Sequence, residues 1–80
     1  MNSPLFGRIQ ETLADVLNLP REQITMQSSP DTIEAWDSLK HLDLVLALEQ
    51  EFRLQFSPEE IAEMTSAELV VAVTSRKLSR

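Results

Sequence analysis

Apolar side chains recur along this sequence at the spacing of helices rather than strands. Stepping about 100° per residue, Leu5, Phe6, Ile9, Leu13, Val16 and Leu17 share one face of a first helix. Ser3 reads as its N-cap and Pro4 as its first residue, where a missing N–H costs nothing. Asn18-Leu19-Pro20 ends it, because proline disfavours helix in the residue before it. A long connection runs from about Asn18 to Trp36. Within it Pro20-Arg21-Glu22-Gln23 suits one helical turn, Ile24, Met26 and Ile33 are candidate pegs into a core, and Ser28-Ser29-Pro30-Asp31 reads as a turn.

A second helix is expected from Asp37 or Ser38 to about Arg53. Ser57-Pro58-Glu59-Glu60 starts a short third helix with a capping box from Ser57 to Glu60. Thr65-Ser66-Ala67-Glu68 repeats that pattern and opens a fourth, whose buried side is expected to hold Leu69, Val70, Val73 and Leu78. Gly7 is the only glycine, no segment alternates convincingly, and tight hairpins would need more Gly or Asn. The expectation is all-α: a four-helix bundle with a short third helix and a long loop between helices 1 and 2, one domain over residues 1–80.

The second helix has two apolar faces. Leu44, Val45, Leu48 and Phe52 fall in one arc, with His41 inside it. Leu39, Leu42 and Leu46 fall in another on nearly the opposite side, bordered by Asp43, Glu49 and Gln50. A bundle of this size needs one stripe buried. The second must be covered by the long loop, line a cavity or stay partly exposed for a partner, and the pattern leaves these open.

Charge narrows the function. Thirteen acids against seven bases give a net charge of −6, which argues against nucleic acid as a partner. Of the acids only Glu11, Asp15 and Glu22 lie outside the segment from Asp31 to Glu68, where the only bases are Lys40 and Arg53. That segment suits a negative face that steers basic partners. With 80 residues, a catalytic cleft would consume much of the core, so an enzyme is disfavoured. There is no cysteine, no apolar run of membrane-spanning length and no basic leader in Met1-Asn2-Ser3-Pro4. A cytoplasmic monomer without membrane insertion, metal site or catalytic residues is expected.

Candidate chemistry concentrates at Asp37-Ser38-Leu39, which opens the two-faced helix just after the long loop. A helix N-terminus favours phosphate through its free N–H groups and positive dipole end. Here the chain resembles the acyl carrier protein family, which includes peptidyl and aminoacyl carriers. The resemblance rests on Trp36-Asp37-Ser38-Leu39 and continues through Leu42, Leu44-Val45, Ala47-Leu48-Glu49 and Glu51-Phe52. It extends to Ser57-Pro58-Glu59-Glu60-Ile61 and Thr65-Ser66-Ala67-Glu68-Leu69.

The resemblance implies a 4′-phosphopantetheine arm on Ser38, transferred from coenzyme A by a phosphopantetheinyl transferase that Asp37 would also contact. Cargo would be an acyl, aminoacyl or polyketide-type intermediate held as a thioester. A loading ligase and downstream synthases or transferases would be the partners, docking on Leu39, Leu42, Asp43, Leu46 and Glu49. The chain departs from the commonest family pattern at Ala35, where a glycine is frequent, and at Lys40 and Gln50, where fatty-acid carriers often have acids. Trp36 before Asp37 is a variant associated with free-standing carriers outside ordinary fatty-acid synthesis.

Two rival classes remain on the sequence. One is an unmodified acidic adaptor that binds through the Leu39/Leu42/Leu46 face. The other is a small hydrolase built on Ser38 and His41, three residues apart. No orienting acid or oxyanion hole is legible for it, and a hydrogen-bonded structural histidine is the preferred reading of His41. Trp36 reads as a loop anchor, or else as a contact at the base of the arm.

Overall fold

The computed structural model describes residues 4–79. Four helices follow in order: α1 (Pro4–Leu17), α2 (Ser38–Phe52), α3 (Pro58–Glu63) and α4 (Ala67–Leu78). A 3₁₀ turn at Arg21–Gln23 interrupts the α1–α2 connection, and no strand occurs among the described residues. The all-α expectation holds, including the short third helix. Ser3, the expected cap of α1, lies outside the described residues.

Helix ends follow local chemistry. Asn18 takes a left-handed backbone (φ 59°), and the Leu19 N–H donates to Ala14 O at 2.9 Å. Arg53 does the same at the end of α2 (φ 56°), with the Leu54 N–H donating to Glu49 O. Both are left-handed caps that satisfy carbonyls the helix leaves unpaired. Asn tolerates that conformation; Arg53 holds it at some cost in strain. At Ser57 the full capping box is present.

The α4 expectation needs correction. Its N-cap is Ser66, which accepts from the Leu69 N–H at 3.2 Å, rather than Thr65. The helix buries Ala67, Val70, Val73 and Thr74, while Leu69 and Leu78 are exposed. Helical spacing explains this: residues 67, 70, 73 and 74 form the arc that faces α1, and 69 and 78 flank it on opposite edges.

The core draws Ile9, Leu13 and Leu17 from α1 and Leu44, Val45 and Leu48 from α2. The α4 face and Met64 from the α3–α4 link complete it. Phe52, expected in this stripe, is only half-buried, with the Arg8 guanidinium 4.4 Å from its ring centroid. Ile24 and Trp36 are buried pegs, whereas Met26 and Ile33 are half-buried. The connection is stitched to the start of α4, where Ala67 N–H donates to Ser28 O (2.7 Å) and Glu68 N–H to Met26 O (3.0 Å). That docking draws the loop toward α4 and leaves the outer face of α2 uncovered.

Candidate functional site

Ser38 is the first residue of α2 and is exposed. Asp37 immediately before it has an extended backbone, and its Oδ1 accepts from the Lys40 N–H at 2.9 Å. The capping task therefore belongs to Asp37. No hydrogen bond engages the Ser38 hydroxyl among the described residues. The serine is left available at a helix N-terminus, whose dipole favours a phosphate. Within the first turn of α2 there is no acid, the nearest being the Asp37 cap itself.

Beside Ser38 lies an open groove of about 610 Å³ between the end of the long loop, the start of α2 and α3. Trp36, Ser38, His41, Leu42, Ile61 and Met64 contribute to its wall. His41 sits inside a short polar chain. The Trp36 indole N–H donates to His41 Nδ1 at 3.0 Å, because indole nitrogen can only donate. The proton of the neutral ring is thus on Nε2, which donates to Ile61 O at 3.1 Å. With both ring nitrogens committed, His41 has none left to take a proton from Ser38. The sequence suggested a structural histidine; its two partners became visible only in three dimensions.

The second apolar stripe of α2 is exposed: Leu39 at 69%, Leu42 at 54% and Leu46 at 58%. Asp43 is exposed beside it, and Glu49 is half-buried. Glu49 has an internal task the sequence did not reveal, since its Oε2 accepts from the Phe56 N–H at 2.9 Å and ties down the α2–α3 link. Glu51 also works within the fold, pairing with Arg8 of α1 at 2.7 Å.

Helix α3 is fastened to α4 from the other side. Lys77 pairs with Glu60 at 3.0 Å and Arg76 with Glu63 at 2.9 Å. The Ser57 backbone N–H, donating to Glu60, and the Lys77 ammonium hold the Glu60 carboxyl below the usual glutamate range. The Lys77–Glu60 pair is the more sheltered of the two.

An exposed, unengaged serine at a helix start, a groove beside it and an open leucine face are thus brought to one end of the bundle. Residues 7–73 match the family described as a phosphopantetheine attachment site. The acyl carrier protein of Petrotoga mobilis is 33% identical over 76 residues, covering 94% of this chain and 88% of that protein. That of Coprothermobacter proteolyticus is 31% identical over 74 residues, covering 92% and 90%. The solution structure of a holo acyl carrier protein from Geobacter metallireducens superposes with a TM-score of 0.86, at 24% identity, over 98% of this chain and 90% of that one. The chain belongs to the acyl carrier protein family. It is a carrier whose cofactor is covalently attached phosphopantetheine, and the exposed hydroxyl at the helix start and the adjoining groove described above suit that group.

Proposed function

We propose that Ser38 is the attachment residue and that the outer face of α2 is where partner enzymes dock. The observation that carries this is the division of labour at the helix start: Asp37 caps, and the Ser38 hydroxyl stands free in solvent. When bound, phosphopantetheine supplies the thiol on which cargo is held as a thioester. The protein's own residues supply position. The N-terminal dipole of α2 favours the phosphate, Leu39, Leu42 and Leu46 offer apolar contact, and Asp43, Asp37 and the outer edge of Glu49 offer charge that speeds encounter with basic partners.

Those partners are a phosphopantetheinyl transferase, a ligase that loads an acyl or aminoacyl group, and the synthases or transferases that use it. Ser38 needs no base of its own for attachment, because the transferase provides one. Nothing in this assignment calls for turnover by the chain itself, in keeping with the engagement of both His41 nitrogens.

Incubation with coenzyme A, Mg²⁺ and a broad-specificity transferase tests it by intact mass. Wild type gains one phosphopantetheine, and Ser38→Ala gains none while keeping its helical circular dichroism. An unmodified wild type beside a control carrier that is modified would remove Ser38 from the role. The leucine face would then be the surface of an unmodified adaptor.

A further inference from the structure

Charge on the outer face of α2 is uneven, and the fold is what divides it. Toward the end of the helix, Glu49 is committed to the Phe56 N–H and Glu51 to Arg8. Asp37 and Asp43 stay exposed, both toward the Ser38 end. The bases divide in the opposite sense. Arg8, Arg21, Arg76 and Lys77 each sit in an ion pair. Among the described residues that leaves Lys40 and Arg53, both on α2 or at its end, paired with no carboxylate. Around the helix Lys40 lies on the flank shared with Ala47 and Glu51. Arg53 instead continues the row of Leu39, Leu42, Leu46 and Glu49 at the same helical spacing, and it is exposed. At 1.5 Å per residue it stands about 15 Å beyond Asp43, roughly twice the Debye length at physiological salt, so a partner meets the two signs separately.

The backbone singles out Arg53 independently. It ends α2 in the left-handed region (φ 56°), the turn that Asn18 makes at the end of α1 (φ 59°). Glycine or asparagine makes that turn with less strain. A cation at a helix C-terminus offsets part of the strain. Residues held in such conformations gather where a side chain is presented to a ligand.

Resting on the reading of the outer face of α2 as the docking surface, we infer that this face is bipolar and that Arg53 selects the partner. The partner is a protein whose contact surface is apolar in the middle, basic where it meets Asp37 and Asp43, and carboxylate-bearing where it meets Arg53. The planar guanidinium suits a two-pronged pair with that carboxylate. A surface that is basic along its whole length meets repulsion at Arg53, so one residue favours the first class and disfavours the second. Arg53 lies about 22 Å from Ser38 along the helix axis and touches no reacting bond.

Two synthetic amphipathic helices with the same leucine stripe serve as probes. One carries lysines at both ends, the other lysines at one end and glutamates at the other. Each is titrated to millimolar concentration into isotope-labelled wild type, Arg53→Lys, Arg53→Gly and Arg53→Glu while amide NMR shifts are followed, and urea midpoints are measured alongside. Wild type is expected to bind the bipolar helix about threefold more tightly than the all-lysine one, with shifts at Leu39, Leu42 and Leu46. Arg53→Lys keeps the preference in weaker form, Arg53→Gly loses it and Arg53→Glu reverses it, all differences shrinking at high salt. Arg53→Gly keeps or raises the urea midpoint, because relief of strain offsets the lost cation.

Equal affinity of wild type for the two helices, with shifts on the leucine face, overturns this inference and leaves the docking face standing. Shifts elsewhere, or none with either helix, defeat the docking face and the inference with it. A lower midpoint for Arg53→Gly together with an unchanged preference confines Arg53 to ending the helix and overturns its role in selection.

Discussion

Trimming Leu48 and Leu46 to alanine separates the two faces of α2 with the same chemical change made two residues apart. Leu48 is 0% exposed and Leu46 is 58% exposed. Each substitution removes three carbons. At about 0.8 kcal/mol per buried methylene, plus a cavity the packed core cannot fully close, Leu48→Ala should cost ~2–5 kcal/mol. Leu46 is less than half buried, so its loss is at most ~1 kcal/mol, and alanine's better helix propensity offsets part of that.

A domain of this length has a total stability of ~4–12 kcal/mol. With a urea slope near 1 kcal/mol/M, the midpoint should fall by ~2–5 M for Leu48→Ala and by less than ~1 M for Leu46→Ala. Trp36, the single tryptophan and buried, reports the transition by fluorescence, with circular dichroism as the second probe. The transferase should rank them in reverse: Leu46→Ala slows modification, while folded Leu48→Ala is modified nearly normally. Equal losses of stability would refute the division into a core face and a docking face.

Other outcomes follow from the same geometry. Asp37→Asn should melt like wild type but be modified more slowly, whereas Asp37→Ala also loses the cap and ~1 kcal/mol; identical modification rates in all three would confine Asp37 to capping. The Glu60 carboxyl is held below its ordinary value in the folded state, so its stabilisation is complete above the unfolded value and lost as pH falls through the folded one. The stability gap between wild type and Lys77→Met, read from urea midpoints, should therefore narrow on acidification from neutral pH, and a constant gap would contradict the pairing. Association with the transferase should slow as salt rises toward physiological ionic strength, where the Debye length is about 8 Å, and a salt-independent rate would reduce Asp37 and Asp43 to solvated surface.

Much of this molecule was decided by local chemistry and so is legible in the residues. The 3.6-residue period places α1 and the core stripe of α2, and Pro58 with the Ser57–Glu60 box starts α3. The serine at the start of α2 is found by its neighbours, Asp37 and Leu39. Each of these signals involves residues within a turn or two of one another, where sequence distance and spatial distance agree. Periodicity alone could not settle which marginal positions of α4 were buried. Leu69 and Leu78 sit on the edges of its arc, and only docking against the other helices decides that they stay out.

The fate of the second leucine stripe was likewise open until the long loop had a place. Hydrogen bonds from Ala67 and Glu68 draw that loop to α4, and Leu39, Leu42 and Leu46 are left bare as a consequence. Besides the nearby Trp36 indole, the partners of His41 and Glu49 lie 20 and seven residues further along the chain, respectively, at backbone groups that exist in every sequence and so leave no signature in this one. Sequence determines which stretches become helices and which serine begins one. The tertiary structure decides which apolar face meets water and which polar side chains are consumed by the fold, because those depend on how separate elements come together.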